Sequence, residues 1–421
     1  KLGQLFVGGC KVEELAARFG TPLYVFDEAT LRSRAREFKS EFSRRYQDVT
    51  VLYASKAFTN LALVRLLAEE GLGLDVVSGG ELAAAKAGGM PLERVYFHGN
   101  NKTPEELAQA LDWGIGRVVV DSFHELELLD RLAGERGKRQ DVLLRVSPGI
   151  DPHTHVHTTT GILDSKFGFP IQTGQAAQAV RAALKAKHLK LTGLHFHLGS
   201  PIFELEPYRL AIELTIKFAA GLREDGLELH EFSPGGGFAI AYTRDQRPPS
   251  VADYAEVFTS TLKASCEGEG FKLPRLVVEP GRAIVGPACV AVYRVGAIKE
   301  IPGVRTYVSV DGGMGDNIRP ALYGAKYEAG VANRMTSREE AQVTIAGKYC
   351  ESGDILVRDV WLPAVRPGDL IAIPASGAYC PSMASNYNLN PRPAIVMVAE
   401  GQARVIRRRE TTEDMLRLDE A

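Results

Sequence analysis

Four short stretches of this chain hold residue types that do chemistry. Val49-Thr50-Val51-Leu52-Tyr53-Ala54-Ser55-Lys56 runs apolar and β-branched residues into one lysine, the pattern of a buried strand ending in a cation. An ammonium at the rim of a buried sheet is partly desolvated, which favours the neutral amine, and a neutral amine forms Schiff bases with carbonyl groups. The plain alternative is a lysine that runs its stem along the sheet and keeps its charge in water. In Gly193-Leu194-His195-Phe196-His197-Leu198-Gly199-Ser200 the two histidines stand two apart, so on a strand both face one way. Gly235-Gly236-Gly237 leaves backbone N–H groups uncovered and able to converge on an anion. Glu279-Pro280-Gly281-Arg282 offers a carboxylate and a guanidinium. Each also has an innocent form: tight turns for the glycines and for Pro-Gly, satisfied core groups for the histidines.

All four lie at the ends of expected strands. Apolar strand patterns fall at 49–54, 73–77, 94–98, 116–120, 141–147, 189–197, 229–233 and 275–279, and most are separated by amphipathic helical segments such as 60–70, 80–88, 104–113 and 123–136. Eight strands alternating with helices over about 230 residues predict an α/β fold, a (β/α)8 TIM-like barrel rather than an open sheet. Such barrels carry their chemistry at strand C-termini, with phosphate commonly bound after strands seven and eight. Lys56 closes the first strand, the glycine triplet follows the seventh and Glu279 ends the eighth. That coincidence outweighs the bland reading of each.

Ahead of the barrel, 11–19 has a helical pattern, 22–26 a strand pattern and 31–46 an arginine-rich amphipathic helix. After Arg282 the texture changes. Alternating segments at 289–296, 306–310, 342–346, 370–373 and 394–399 stand between Gly and Pro turns, which predicts an all-β domain, sandwich- or barrel-like. The strand at 22–26 is expected to join it. The expected division is a barrel over 29–283 and a β domain made of 1–28 plus 284–421. The connection from 147 to 170 is longer than a barrel loop needs, and long loops at a catalytic face serve as lids. It contains His153, His155 and His157, but no acidic or cysteine partner stands at ligand spacing, so no metal is expected.

The chain has 421 residues, 45% hydrophobic and 24% charged, with net charge −2, the balance of a globular protein with a full core. No basic block exceeds Arg407-Arg408-Arg409, and no apolar run approaches the roughly 18 residues of a membrane helix, so neither nucleic acid nor membrane is an expected partner. Leu5 to Cys10 has the outline of a lipoprotein cleavage site without the long apolar stretch that should precede it. Cys10, Cys266, Cys289, Cys350 and Cys380 are scattered without CxxC spacing, the usage of a reducing cytoplasm. Complete GxGxxG, GxxxxGK[ST] and HExxH patterns are missing, and Ser55-Lys56 lacks the S-x-x-K spacing of acyl-serine enzymes.

Tyr53-Ala54-Ser55-Lys56-Ala57, the 193–200 segment, Gly235-Gly236-Gly237 and Glu279-Pro280-Gly281-Arg282 together resemble the fold-type III pyridoxal-phosphate enzymes, with their alanine racemase-like fold. Five further pieces narrow the resemblance: Asp311-Gly312-Gly313-Met314, Ile318-Arg319-Pro320-Ala321-Leu322-Tyr323, Cys350-Glu351-Ser352-Gly353-Asp354, Gly377-Ala378-Tyr379 and Met383-Ala384-Ser385-Asn386-Tyr387-Asn388. In that order they are similar to the diaminopimelate decarboxylases, over about residues 5 to 410.

The resemblance implies that Lys56 holds pyridoxal 5'-phosphate as a Schiff base, that Gly235, Gly236, Gly237 and Ser200 cradle its phosphate, and that His197 lies against its ring. Gly281, Arg282 and Tyr387 would also line the cofactor, and Glu279 would pair with the ring nitrogen. A carboxylate there keeps the ring protonated and able to accept the electron pair left by departing CO2. An arginine in that place, as in the related alanine racemases, would weaken the sink, which favours decarboxylation over racemisation. Cys350 would reprotonate the carbanion, though a small buried hydrophobe is the common fate of a cysteine. Glu351 would take the substrate's distal ammonium, while Arg282, Arg319 and Tyr323 would hold its distal carboxylate, which a guanidinium grips by both oxygens. Tyr387 would reach both substrate and cofactor. In the family the Cys-Glu segment enters the site from the neighbouring subunit, so an obligate homodimer with shared sites is implied.

Three places depart from the family pattern: Pro201 where glutamine is usual, Lys348-Tyr349 before Cys350 where Gly-Pro is more common, and Leu389-Asn390 within the usual Ser-Arg run. The expected activity is decarboxylation of meso-2,6-diaminopimelate to L-lysine in the cytoplasm. The alternatives are a related decarboxylase of ornithine, arginine, carboxynorspermidine or a D-amino acid, a non-catalytic pyridoxal-phosphate-binding barrel, and a metal-dependent barrel enzyme using His153–His157.

Overall fold

The computed structural model describes residues 3–151, 165–338 and 340–420. The chain forms two compact units. One comprises Arg34–Ala239 and Pro248–Gly281; the other takes the chain up to Ser33, Ile240–Arg247, and everything from Arg282 on. The histidine run at 153–157 lies outside the described residues.

The first unit is a closed barrel. Its eight strands are Val49–Ala54, Gly73–Val76, Val95–Phe97, Arg117–Val120, Gln140–Ser147, Leu189–His195, Glu231–Gly235 and Arg275–Val278. Each runs parallel to the next, and the last pairs with the first, Val278 opposite Val51. Leu52, Tyr96, Val119, Leu143 and Val277 pack into one buried cluster from five strands, each apolar side chain worth about 1.5–3 kcal/mol over exposure. Beside that layer the barrel turns polar: Tyr96 Oη donates to Glu231 Oε2 at 2.9 Å and Arg117 Nη2 lies 2.5 Å from Glu231 Oε1. Arg117 Nη1 also lies 3.2 Å from Asp141 Oδ2, so the partly buried guanidinium is held by two carboxylates.

Many of the loops that enter barrel helices end on a capping side chain, which fixes the loops that carry the chemistry. Asn60 accepts the Leu63 amide at 2.9 Å. Thr103 and Glu106 form a reciprocal capping box with Pro104 at the first helical position, and Gly114, at φ 70°, ends that helix. Ser78, Ser122 and Ser250 accept the Glu81, Glu125 and Asp253 amides at the starts of their helices, each cap contributing about 1 kcal/mol.

The sixth strand ends at His195, two residues short of the expected end, so His195 and His197 do not share a strand face. The chain leaves the sheet at Phe196, whose amide still bonds Ser233 O at 2.9 Å.

In the second unit the main sheet runs Ile355–Leu362, Ala341–Ala346, Arg305–Val310, Cys289–Ile301, Leu23–Asp27, Ala394–Ala399, Gln402–Arg407, with Leu370–Ile373 also paired to the long strand Cys289–Ile301. Leu23–Asp27 is antiparallel to Cys289–Ile301 and parallel to Ala394–Ala399. Leu23, Val25, Val292, Leu370, Val396 and Val398 share a core with Val12 and Leu15 of the helix Val12–Phe19. Two strands carry no clear pattern in the sequence. Ile355–Leu362 is interrupted by Arg358 and by Asp359 at φ 54°, and Gln402–Arg407 is an exposed edge. The unit also holds the short helices Arg282–Val285, Arg319–Tyr323 and Thr412–Leu416, too brief to show a period. Among the described residues no helix is long and apolar enough to cross a membrane.

Candidate active site

Lys56 stands in a single 3-10 turn, Ser55–Ala57, directly after the first barrel strand. Ser55 and Ala57 are buried, but Lys56 is exposed. The expected desolvation of its ammonium is therefore not met within this chain, because the turn carries the residue beyond the packed rim. A Cβ on Gly281 would lie 3.0 Å from Ala54 Cβ and 3.1 Å from Ala57 Cβ, so a glycine there lets the chain beyond Glu279 press against the lysine turn.

Glu279 follows the eighth strand and is buried. Ser233 Oγ donates to its Oε1 at 2.8 Å, and His195 Nε2 lies 3.1 Å from its Oε2. A carboxylate has no proton to give, so the imidazole donates through Nε2, while its Nδ1 has no partner among the described residues. His98, just after the third strand, packs edge-on to His195 at 4.8 Å between ring centres. Its Nε2 is 3.7 Å from both Glu279 Oε1 and Asp75 Oδ1. Burial alone would raise the Glu279 pKa, but the two imidazoles and the hydrogen bonds from His195 and Ser233 outweigh it and hold the carboxyl below its ordinary range. Asp75 goes the other way, raised by burial and then by the Glu279 charge, and burial keeps His98 neutral. One negative charge thus resides on Glu279 and not on Asp75, as expected when two buried carboxyls lie close.

The glycine triplet is a backbone cradle. Gly235 and Gly237 take φ values of 75° and 103°, a region that other residues enter at a cost. Side chains would not fit: a Cβ on Gly236 would lie 2.2 Å from Glu279 O, and one on Gly237 2.5 Å from both Gly199 O and Tyr208 Oη. The loop is braced by Tyr208 Oη, which donates to Gly236 O at 2.6 Å, and by the Gly236 amide, 3.4 Å from His197 Nδ1. Ser200 is exposed nearby in sequence. Burial, and then the Lys56 cation, lower the His197 pKa. An exposed amine, a side-chain-free cradle and a fixed carboxylate suit an aldehyde, a phosphate and a basic ring nitrogen, the three handles of pyridoxal phosphate.

The second unit gathers the arginines. Arg282 and Arg319 are both buried. Arg282 Nη1 donates to Tyr242 Oη at 2.6 Å, and its guanidinium lies 4.8 Å from the Tyr379 ring centre. Arg319 lies 4.7 Å from the Tyr242 ring centre and hydrogen-bonds Tyr327 Oη, which is 3.3 Å from Cys380 Sγ. Among the described residues no carboxylate pairs with Arg319, and a buried cation lacking a carboxylate is a seat for an anion. Tyr323 is 63% exposed and stands outside this cluster.

Cys350 is the one exposed cysteine, while Cys10, Cys266, Cys289 and Cys380 are buried; it is not the small buried hydrophobe that cysteine often becomes. Its amide donates to Asn388 Oδ1 at 2.9 Å, Tyr387 Oη donates to Glu351 Oε1 at 2.5 Å, and the Tyr387 ring stacks on Tyr349. The 350–351 and 387–388 segments, which the resemblance made functional, are thus joined directly.

Asp75, His98, Ser233, Tyr242 and Tyr327 are not legible as site residues in the sequence. A signal existed for two of them, since Asp75 interrupts an apolar strand and His98 follows a strand end as Lys56 does.

Residues 28–286 match the family described as pyridoxal-dependent decarboxylase, pyridoxal binding domain. Over 418 residues, 99% of this chain and 95% of the relative, it is 49% identical to a protein of Bacillus subtilis named diaminopimelate decarboxylase. A Synechocystis protein of the same name is 47% identical over 429 residues, 100% of this chain and 91% of its own length. The crystal structure of diaminopimelate decarboxylase from M. jannaschii in co-complex with L-lysine superimposes with a TM-score of 0.94 at 36% identity, covering 100% of this chain and 96% of that one.

Proposed function

Because this chain belongs to the pyridoxal-dependent decarboxylases, and within them to the diaminopimelate decarboxylases, we propose that it removes one carboxyl group of meso-2,6-diaminopimelate as CO2 and leaves L-lysine, the last step of lysine biosynthesis. When bound, pyridoxal 5'-phosphate supplies a sink for the electron pair left by the departing carboxyl group. Lys56 Nζ holds the cofactor, Gly235, Gly236, Gly237 and Ser200 hold its phosphate with Gly281 and Arg282, and His197 lines its ring. Glu279 keeps a proton on the ring nitrogen. The observation that carries the reading is that carboxylate, charged and fixed from both sides by His195 and Ser233.

Arg282 and Arg319 take the carboxylate that stays on the product, Tyr323 reaches it from outside their cluster, and Glu351 takes the distal ammonium. Tyr387 orients Glu351 and reaches cofactor and substrate. Cys350 gives the proton that replaces the lost carboxyl group. Cys350 and Glu351 serve the site of the partner subunit, so the enzyme is a homodimer with shared sites. Its five free thiols suit the reducing cytoplasm. Ornithine and arginine, the nearest alternatives, offer no distal carboxylate to the arginine pair.

The test is CO2 release by the purified holoenzyme from meso-diaminopimelate and from a panel of ornithine, arginine, carboxynorspermidine and D-amino acids. Visible absorbance, borohydride labelling of Lys56 and turnover of meso-diaminopimelate above the panel are expected. A colourless protein, label on another lysine, or a preference for ornithine would overturn the reading.

A further inference from the structure

Tyr242 lies in Ile240–Arg247, a short segment that belongs to the second unit although the barrel chain flanks it on both sides. The segment is tied down. The Tyr242 amide donates to Gln246 Oε1 at 2.7 Å, the Arg244 amide donates to Glu328 Oε1 at 2.6 Å, and Arg244 Nε is 2.8 Å from Glu328 Oε2. The buried Tyr242 side chain meets the two arginines with different parts of itself. Its hydroxyl accepts from Arg282 Nη1 at 2.6 Å, and its ring lies under Arg319 at 4.7 Å. Tyr327 closes the far side, edge-on to Tyr242 at 5.3 Å and 81°, with its own hydroxyl bonded to Arg319. Arginine side chains carry much rotamer freedom, and fixing them beforehand removes that cost from ligand binding.

We propose that Tyr242 is a specificity-determining positioning residue, which holds Arg282 by its oxygen and Arg319 by its ring so that the two guanidiniums are set for one carboxylate. The inference rests on the reading of these arginines as the distal-carboxylate site. Two small molecules separate the effects. L-lysine, left when one carboxyl group has gone, keeps the other; cadaverine has lost both.

The experiment measures competitive inhibition of the holoenzyme by L-lysine and by cadaverine, with the steady-state constants for meso-diaminopimelate. Wild type should bind L-lysine more tightly than cadaverine. Tyr242→Phe should weaken L-lysine about tenfold, the effect of a lost hydrogen bond to a charged group, and leave cadaverine unchanged. The KM for meso-diaminopimelate should rise with little change in kcat. Tyr242→Leu, which also takes the ring from Arg319, should weaken L-lysine further. If both inhibitors weaken together, or neither does, the role of Tyr242 is overturned and the arginine assignment stands. If wild type does not distinguish L-lysine from cadaverine, the arginine assignment falls and Tyr242 with it. Should the Phe variant not accumulate as folded protein, 4-aminophenylalanine at position 242 keeps the ring and replaces the hydroxyl with an aniline nitrogen, a poor acceptor. The same loss confined to L-lysine is then expected, and the same contrary results count against it.

Discussion

His195 Nε2 lies 3.1 Å from Glu279 Oε2 inside the barrel mouth, both groups buried. A lone carboxylate in such a place would take up a proton. With His195 on one oxygen and Ser233 on the other it stays charged, and a charged carboxylate is what a protonated ring nitrogen needs.

Glu279→Gln should therefore keep the fold and bind the cofactor, yet decarboxylate about 100-fold more slowly, the effect of losing one fixed charge-stabilising group in a water-excluded site. The visible spectrum should shift as the ring nitrogen loses its proton. Unchanged turnover would show that Glu279 does not face that nitrogen.

Arg319→Ala should lower kcat/KM for meso-diaminopimelate by a factor equivalent to about 2–5 kcal/mol, as for a buried charged pair broken by truncation. D-lysine keeps the reacting centre and the distal amine but has no distal carboxylate. Its slower turnover should hardly respond to the substitution. An equal loss with both substrates would place Arg319 in the fold and not at the carboxylate.

Lys56→Ala and Cys350→Ala homodimers should each be almost inactive. If each site takes Lys56 from one chain and Cys350 from the other, a hybrid of the two variants concentrates both defects in one site and leaves the other intact. Random exchange makes half the dimers hybrid, so activity should return to roughly a quarter of wild type. Subunit exchange is checked by tagging one chain and recovering the other. Tagged hybrids that form and stay inactive would remove the shared-site arrangement.

Asp316 gives a pH test in the second unit. Burial raises its pKa to about 7, against the Gly313 amide that donates to it at 2.8 Å. Its folded pKa exceeds the unfolded value of about 3.9, so the folded state holds the extra proton and stability falls as pH rises between the two. The slope is about 1.4 kcal/mol per pH unit. Asp316→Asn keeps an acceptor for Gly313 and abolishes the slope. Its melting temperature should gain on wild type from about pH 4 to 7 and then level off. A difference that does not vary with pH would show that Asp316 ionises normally.

The barrel and the ends of its strands were legible because each rests on a local pattern: apolar runs of strand length, caps at the loop ends, and Lys56, the glycine triplet and Glu279 where the strands run out. His195 and His197 misled because nothing in the spacing records where a strand peels away from its neighbours. Tyr242 and Tyr327 were invisible for a related reason. Their meaning comes from contacts between segments far apart in the chain, and an isolated tyrosine in a loop advertises none of them. The apolar neighbours of Lys56 predict desolvation, but the turn after the strand decides its exposure.

The place of Leu23–Asp27, between Cys289–Ile301 and Ala394–Ala399, bears on how the chain is made. At about 5–20 residues per second its first neighbour leaves the ribosome on the order of tens of seconds later, and the second later still. Throughout that interval an apolar strand of four buried residues has both edges open, the condition under which strands pair with the wrong chain. The barrel strands meanwhile arrive in consecutive order, so each after the first finds one neighbour already made, and one edge of the first waits for the eighth. Aggregation during synthesis should therefore begin at this early strand, and slower growth or a holding chaperone should raise the yield of folded protein more than any change to the barrel.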